Sequence, residues 1–375
     1  MKILVCGSNG YIGNALVQKL LVDGHTVVGI DNDIKLNWLR EVGSYSAIPV
    51  ITGLDKFRKL RRIGSYTHYS MDIAQDVKKL DELFRKYKFD TIVNLAQMPS
   101  APYSQIDLSH ASFTIQNNTI GTLNLIYMIK DHCPDAHFIE IESMGTYNHA
   151  INTRIPEGKF QFEFEGRTSE PCIFPKQGGS QYHTAKIFST YLLDNAHRWW
   201  GLNSTIINQG VVYGNWTKEI EQSGIHSHLA YDSTFGTVVN RFIVQSLTNQ
   251  PLTIYGKGDQ KRGYLALSDS VQCLMLFINN PSDGYRIVNQ LAETFSVNDI
   301  ANKVCQLNSN ATFKYMETPR AEQTTDFYYN VTTDTLKSLG FKNTRYIDDE
   351  LKYLYNIIDK KYIVSLKDEK FVTWK

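Results

Sequence analysis

A tyrosine and a lysine four residues apart, Tyr182 and Lys186, lie in a stretch that has the apolar spacing of a helix. Residues at positions i and i+4 share one face of a helix, with about 6 Å of axial rise between them. A tyrosine hydroxyl ionises near pH ~10, and a fixed ammonium group nearby favours the phenolate. The pair therefore predicts a base that takes a proton from a substrate hydroxyl. Ser143, at the end of a predicted strand upstream, adds a second hydroxyl group.

Three glycines follow the first apolar run of the chain with the spacing G-x-x-G-x-x-G. Such glycines let the chain turn tightly and bring backbone N–H groups and a helix N-terminus close to a pyrophosphate. Asp31 lies 18 residues after Gly13, near the spacing of about 20 expected for a carboxylate on the adenosine ribose. Because a carboxylate there would repel the 2′-phosphate of NADP, the pattern predicts NAD. The residues assigned to this site are Gly7, Gly10, Tyr11, Ile12, Gly13, Asp31 and Asn32.

The segments that must position these residues alternate between strand and helix patterns. Buried strands are predicted at 2–6, 26–30, 91–96 and 137–142, and helices at 118–129 and 182–200. This alternation favours an α/β fold, a doubly wound parallel Rossmann sheet, followed by a smaller mixed α/β domain that binds substrate. After Gly201 the pattern becomes irregular, with glycine, asparagine and tyrosine between short elements.

The predicted domain organisation follows from this change of pattern. Residues 1–207 form the NAD-binding domain, joined by returning segments near 208–214 and 265–285. Residues 215–350 mainly form the substrate-binding domain, and 351–375 are a solvated C-terminal tail.

Composition excludes several classes of protein. The 375 residues carry a formal net charge of +1, so no overall field attracts nucleic acid or a membrane surface. A short basic cluster from Arg58 to Arg62 is interpreted as a solvated face. No stretch approaches the ~20 apolar residues of a membrane span. The five cysteines form no Cys-x-x-Cys pair, so we expect reduced thiols, no metal site and a cytoplasmic protein.

The motifs around Ser143, Tyr182 and Lys186 resemble those of the extended short-chain dehydrogenase/reductase superfamily of nucleotide-sugar enzymes. The resemblance implies that these three residues are its catalytic triad. It also implies cofactor contacts at Asp72, Ile73, Leu95, Ala96, Asn118 and Val211, with Tyr182 and Lys186 reaching the cofactor as well.

Longer runs resemble the UDP-sulfoquinovose synthase family over nearly the whole chain, most closely from Ser100 to Asp269. The runs are Ser-Ala-Pro-Tyr-Ser from Ser100, Pro-Lys-Gln from Pro175, Ile-Asn-Gln-Gly-Val-Val-Tyr-Gly from Ile207, Tyr-Asp-Ser-Thr-Phe-Gly-Thr-Val-Val-Asn-Arg-Phe from Tyr231 and Tyr-Gly-Lys-Gly-Asp-Gln-Lys-Arg-Gly-Tyr from Tyr255. The resemblance implies UDP-glucose and a sulfite equivalent as substrates. NAD would oxidise C4, loss of the C5 proton and the C6 hydroxyl would give a 4-keto-5,6-ene, and sulfite would add at C6 before the hydride returns.

Two positions after Ser143 depart from the related 4,6-dehydratases, which carry an Asp-Glu pair there. This chain has Met144 and Gly145, and neither side chain carries a proton. His183, next to Tyr182, is the expected substitute, because an imidazole ionises near neutral pH. The other interpretation of His183 is a helix histidine that only bonds a neighbouring carbonyl group.

The same resemblance places the substrate on a set of residues from the second half of the chain. They are Gln209, Thr237, Asn240, Tyr255, Gln260, Arg262 and Arg320, together with Ser143 and Met144. The two arginines would hold the diphosphate, since a guanidinium matches phosphate oxygens. One segment departs from the family, which has Glu-Gln-Arg where this chain has Gln97, Met98 and Pro99. The lost charges bear on the sulfite step and not on oxidation of the sugar.

Two other functions fit parts of the pattern. A UDP-sugar 4-epimerase needs only Ser143, Tyr182, Lys186 and space in which the ketosugar can rotate. An NAD-binding sensor or scaffold would use the same fold without catalysis. The resemblance further implies a homodimer that forms through two helices of each subunit, one of them carrying Tyr182 and Lys186.

Overall fold

The computed structural model describes residues 1–147, 153–317 and 330–365. Its first part alternates strands and helices in chain order. The elements are β1 (Lys2–Cys6), α1 (Tyr11–Val22), β2 (Thr26–Asp31), α2 (Ile34–Glu41), α3 (Gly53–Ile63), β3 (Tyr66–Ser70), α4 (Val77–Lys86), β4 (Thr91–Asn94), α5 (Leu108–Ile115), α6 (Gly121–His132) and β5 (His137–Ser143).

The second part begins with short hairpin strands and then mixes longer elements. These are β6 (Lys159–Phe160), β7 (Glu163–Phe164), β8 (Arg167–Thr168), β9 (Cys172–Ile173), α7 (Gln181–Trp200), β10 (Ser204–Gln209), β11 (Val211–Tyr213), α8 (Lys218–Ser223), α9 (Val238–Leu247), β12 (Leu252–Tyr255), β13 (Lys261–Ala266), α10 (Leu267–Asn279), β14 (Tyr285–Gln290), β15 (Glu293–Ser296), α11 (Val297–Leu307), β16 (Phe313–Met316), α12 (Asp334–Ser338), α13 (Ile347–Ile357) and α14 (Lys360–Ser365).

Seven parallel strands form the main sheet, in the order β14-β10-β5-β4-β1-β2-β3. The chain order reverses between β1 and β4, and in such sheets ligands bind beyond the carboxyl ends of the strands at this point. The predicted doubly wound Rossmann fold is confirmed. Two smaller sheets, β11-β13-β15 and β12-β16, pack with α9, α11 and α13 into a second region of the molecule.

Apolar cores cover both faces of the main sheet. One contains residues of α1 and α10, and the other contains residues of α4, α6 and α7. The strands are apolar on both faces for this reason, as parallel sheets require. No helix within the described ranges is long and apolar enough to cross a membrane.

A third core holds the second region together, and it extends past the predicted start of a solvated tail at residue 351. Helix α13 crosses that position, and Leu351, Leu354 and Ile358 are buried in this core with α9 and α11. The charged residues of this helix predict a solvated end, but they occupy only one face. Its apolar stripe lies on another face and packs into the core. The other proposed domain boundaries stay predictions.

The predicted elements around the site agree with the structure to within two residues at the strands, and α7 begins at Gln181, one residue before the expected start. The helix expected at 118–129 differs in form. It is α5 and α6 joined by one π-helical segment, Gln116–Ile120, in a continuous run. A π-helical turn inserts a residue and reorients the side chains beside it, which is common at functional sites.

Candidate active site

A cavity of about 400 Å³ opens at the carboxyl ends of the central strands, where the topology predicts a ligand. Its wall combines the glycine loop after β1, the ends of β4 and β5, the start of α7 and segments near β11 and β13. A smaller cavity of about 70 Å³ adjoins it over β2. Gly7, Gly10, Leu95 and Gln97 line both cavities, so the two form one elongated site.

The glycine loop fits a dinucleotide because of its backbone. Gly7 has a φ of +76°, and a Cβ atom there would overlap the backbone of Leu95 and Ala96. A Cβ atom at Gly13 would overlap the Gly7 carbonyl. Gly10 caps α1, so the helix N-terminus, with its free N–H groups, faces the cavity that Tyr11 and Ile12 also line. This cradle fits a pyrophosphate.

The smaller cavity contains the predicted adenosine residues Asp31, Asn32, Asp72 and Ile73. The Asp31 carboxylate accepts hydrogen bonds from the backbone N–H groups of Asn9 (2.9 Å) and Asp33 (2.8 Å). Burial raises the pKa of Asp31, and these two N–H groups oppose that shift. The Asn32 amide donates to Asp72 at 2.9 Å, which fixes both side chains at the cavity.

Leu95 and Ala96 line this end as expected, but Asn118 is not among the residues that line either described cavity. It is fully buried, and its amide bonds both the N–H (2.7 Å) and the carbonyl (3.1 Å) of Met98. Its neighbour Asn117 lines the smaller cavity instead. The π-helical segment accounts for this, because it moves the neighbouring side chains out of the simple helical register.

Ser143, Tyr182 and Lys186 come together in the large cavity, from the end of β5 and the first turns of α7. The Lys186 ammonium lies 5.9 Å from the centre of the Tyr182 ring. It donates to the Gln97 side chain and to the Ile141 carbonyl. Burial and the Glu142 charge raise the pKa of Tyr182, while its interaction with the Ser143 hydroxyl lowers it.

Gln97, one of the departures from the family, links Lys186 to a second carboxylate. Its amide nitrogen donates to Glu140, which also accepts from Asn94 at 2.8 Å. Burial raises the pKa of Glu140 to about 7, against the effects of Lys186 and these donors. A carboxylate is therefore present beside Lys186 although position 97 lacks one.

His183 lines the same cavity, and its Nδ1 lies 2.9 Å from the Ser180 hydroxyl, the N-cap of α7. The partner of His183 is thus the Ser180 hydroxyl group, where the alternative interpretation expects a neighbouring carbonyl group. A Cβ atom at Gly145 would overlap the His183 Nε2, so a side chain at position 145 and this imidazole exclude each other. Burial, Arg262 and Lys186 lower the pKa of His183 to about 4. The imidazole is therefore neutral at pH 7, whereas the sequence predicts a group whose pKa is near neutral pH.

Glu142 is a residue of this site that the sequence reasoning missed. It is 2% exposed, lines the large cavity, and burial raises its pKa to about 8. The sequence does contain a signal for this residue, because Glu140 and Glu142 occupy alternate positions of a strand predicted to be buried. Carboxylates are rarely buried without a partner or a function.

The predicted substrate residues divide into two groups. Met144, Gln209, Thr237, Asn240 and Arg262 line the large cavity, as does the cofactor residue Val211. Tyr255 and Gln260 are buried and are not among the residues that line either described cavity, and the Gln260 amide donates to the Tyr255 carbonyl at 3.3 Å. Arg320 lies outside the described residues.

Further polar groups on the cavity wall come from segments with no recognised motif. Lys35, at the start of α2, lines both cavities, and His228 lines the large one. Pro99, where the family has arginine, also lies in this wall. Lys35 reaches the cavity from the first turn of α2, a helix that no motif of the sequence marks.

Comparisons with known proteins agree with this geometry. The sequence pattern of the NAD dependent epimerase/dehydratase family matches residues 3–290. The chain is 35% identical to a UDP-sulfoquinovose synthase of Sulfolobus acidocaldarius, over 94% of this chain and 91% of that protein. It is 34% identical to the chloroplastic UDP-sulfoquinovose synthase of Spinacia oleracea, over 100% of this chain and 79% of that protein.

Among solved structures, the Bacillus cereus UDP-glucuronic acid 4-epimerase in complex with UDP-glucuronic acid and NAD has the same fold. Its TM-score is 0.70 with 22% identity, over 97% of this chain and 100% of that one. The family match and the two near-full-length relatives lead to one conclusion. The chain belongs to the NAD dependent epimerase/dehydratase family and, within it, to the UDP-sulfoquinovose synthase family.

Proposed function

We propose that this NAD-dependent nucleotide-sugar enzyme converts UDP-glucose and a sulfite equivalent to UDP-sulfoquinovose. The observation that carries the proposal is the near-full-length similarity to two UDP-sulfoquinovose synthases, joined to a cavity that contains Ser143, Tyr182 and Lys186. NAD, held by the glycine loop and Asp31, would take a hydride from C4 of the sugar and later return it.

Tyr182 is the group that receives the proton of the C4 hydroxyl, and Ser143 orients that hydroxyl. In this role Tyr182 needs its ionised form, which the Lys186 charge favours and which burial disfavours. Ketone formation at C4 acidifies the C5–H bond, so oxidation must precede elimination.

His183 is the proposed proton carrier for the elimination of the C6 hydroxyl. Its Nε2 faces Gly145, the position at which related dehydratases have a glutamate. With a pKa of about 4, the imidazole is neutral at pH 7 and is able to accept a proton. The Ser180 hydroxyl at its Nδ1 fixes the ring orientation.

The UDP group would occupy the part of the cavity formed by the second region. Thr237, the N-cap of α9, Asn240 in its first turn and Arg262 on β13 line this part. The positive charge of Arg262 suits a diphosphate, and Gln209 lies at the sugar side. We keep Arg320, Tyr255 and Gln260 as predicted members of the pocket.

A homodimer is the proposed assembly. Large apolar side chains are exposed along α7, one of the two helices expected at the interface, and along α5 and α6, which pack against it. They are Leu108, Tyr127, Phe188, Tyr191, Trp199 and Trp200. Exposed apolar patches of this kind mark association surfaces. Light scattering on the purified protein tests this, and a monomeric mass would contradict it.

All five cysteines are free thiols, which supports the expected cytoplasmic location.

The experiment that tests the function is mass spectrometry after incubation with UDP-glucose in deuterated water, with and without sulfite. A new UDP-sugar carrying a sulfonate, formed only with sulfite, is the expected result. UDP-galactose without deuterium at C5 would instead identify a 4-epimerase. That alternative uses the same Ser143, Tyr182 and Lys186, and Pro99 in place of the family's arginine is the observation in its favour.

His183→Ala distinguishes the two functions further. We expect this variant to keep C4 oxidation, seen as bound NADH, and to lose C5 exchange with solvent by about 100-fold. Unchanged C5 exchange would remove His183 from the mechanism.

A further inference from the structure

Glu142 is a buried carboxyl group of the cavity for which the proposed reaction has no role. Successive residues of β5 face opposite sides of the sheet, so Phe138, Glu140 and Glu142 share the side that packs against α6 and α7. Neither oxygen of Glu142 accepts a hydrogen bond of normal geometry from the described part of the chain, although the Ser143 N–H lies close. Its neighbour Glu140, by contrast, is fully hydrogen-bonded. Burying a carboxyl group without hydrogen-bond partners costs free energy, so its presence at a cavity indicates a function.

The groups that face Glu142 come from every element packed around it. They are Glu140 on the same strand, Lys176 before α7, Tyr182 and Lys186 on α7, Tyr147 after β5 and Tyr285 on β14. The Lys186 ammonium donates to the carbonyl of Ile141, the residue before Glu142. It also lies 5.9 Å from the centre of the Tyr182 ring. We call Glu142, Tyr182 and Lys186 the acid–base cluster.

Two charges of this cluster act on Tyr182 in opposite directions. The Lys186 ammonium stabilises a phenolate, whereas ionised Glu142 repels it and raises the pKa of Tyr182, second only to burial. Charge effects of this kind are stronger where side chains are shielded from water, as Glu142 and Lys186 are. When Glu142 carries a proton, the repulsion disappears and the attraction remains. Burial raises the pKa of Glu142 to about 8, so at neutral pH the proton is bound.

We propose that Glu142 is a positioning residue whose charge sets how readily Tyr182 gives up its proton and acts as a base. With neutral Glu142, the Lys186 charge acts on Tyr182 unopposed and the phenolate is accessible. With ionised Glu142, Tyr182 holds its proton more tightly, so its phenolate forms only at higher pH. The inference rests on the proposed function only in its first step, the transfer of the C4 hydroxyl proton to Tyr182.

The test is the titration of Tyr182 in NAD-saturated protein labelled with 13C at tyrosine Cζ, its resonance being assigned with Tyr182→Phe. In Glu142→Gln we expect the Tyr182 midpoint to fall by about one pH unit or more below that of the wild type. Glu142→Asp keeps the charge and should titrate like the wild type. Equal midpoints in the wild type and Glu142→Gln would overturn the inference.

Glu140→Gln is the matched control, because Glu140 is equally buried on the same face of β5 but is hydrogen-bonded. A shift of Tyr182 as large in this variant as in Glu142→Gln would also overturn the inference. If Glu142→Gln does not fold, the wild type alone answers the question. Its Tyr182 resonance should show a second, smaller inflection where Glu142 ionises, and a single inflection would argue against coupling.

A kinetic measurement separates this inference from the proposed function. With UDP-glucose, the rate of bound NADH formation should rise with pH as Tyr182 loses its proton, and this rise should lie at lower pH in Glu142→Gln than in the wild type. If UDP-glucose reduces no NAD while the Tyr182 shift is present, the proposed function fails and the role of Glu142 stands. If NADH forms with the same pH dependence in both proteins, the role of Glu142 fails and the function stands.

Discussion

The two ends of the elongated site are built from different chemical groups. At the end of β1, the cofactor would meet backbone atoms, because Gly7 and Gly13 leave no space for a side chain. At the end of β5, the sugar would meet the side chains of the acid–base cluster, of which Glu142 and Lys186 are buried and Tyr182 is partly buried. The pKa values of Glu142 and Tyr182 are raised.

This difference separates two kinds of sensitivity. A backbone cradle has no titratable group and keeps its shape over a wide pH range, but one added atom fills it. A cluster of buried side chains tolerates small changes of shape, but its function depends on which members carry a proton. The cofactor end should therefore respond to added volume, and the sugar end to altered charge.

The largest expected effect is at the sugar end. Tyr182→Phe removes only one hydroxyl group and should lower the rate of C4 oxidation by about 10²–10⁴-fold, because no other base replaces the phenolate. Stopped-flow absorbance of bound NADH measures it. NAD affinity should stay unchanged, since the aromatic ring is kept. A rate close to that of the wild type would mean that another group is the base.

The second effect concerns stability and pH. The Glu142 pKa rises from its ordinary value of 4.5 to about 8 in the folded protein. The folded state therefore holds one more proton than the unfolded state between these values, so stability falls as the pH rises through this window. The loss amounts to about 5 kcal/mol at most.

Glu142→Gln should remove this pH dependence. Chemical denaturation of both proteins at pH 5 and pH 8 measures it, with the stability difference between them growing in favour of the variant at pH 8. An equal slope in both proteins would show that Glu142 already has an ordinary pKa in the folded state.

The cofactor end is tested by a pair of glycines with matching backbone. Gly7 and Gly24 have φ angles of +76° and +81°, but only at Gly7 would a Cβ atom meet other backbone. Both alanine variants carry a strain of about 1–3 kcal/mol. Gly7→Ala should in addition weaken NAD binding by about 100-fold, measured by calorimetry, whereas Gly24→Ala should bind NAD normally. Similar NAD affinities in the two variants would argue against the cradle.

The smallest effect is the choice between NAD and NADP. Asp31→Asn removes the charge that would repel a 2′-phosphate while keeping oxygen for the ribose. We expect the preference for NAD over NADP to fall by about 10-fold, roughly 1.4 kcal/mol. Calorimetric titration with each dinucleotide measures the ratio, and an unchanged ratio would assign the selectivity to other residues.

Local sequence was enough to predict the cofactor end. The strand, the glycine spacing and the start of α1 lie within the first 22 residues, and each follows from short-range geometry. The pairing of Tyr182 with Lys186 is equally local, because it depends on one turn of α7. The position of Asn118 did not follow from the local sequence, since a π-helical segment changes the register of a helix that the apolar pattern does predict.

The sequence by itself determined the Rossmann sheet, the glycine turn after β1 and the placing of Tyr182 and Lys186 on one helix face, because strand alternation, helix periodicity and glycine conformation act between near neighbours. Only the tertiary structure decided the charge balance at the sugar end. Glu142 and Lys186 are 44 residues apart, and Gln97 reaches both Lys186 and Glu140 across the sheet. The Coulomb energy of such groups depends on their separation in space and on their exclusion from water, and folding sets both.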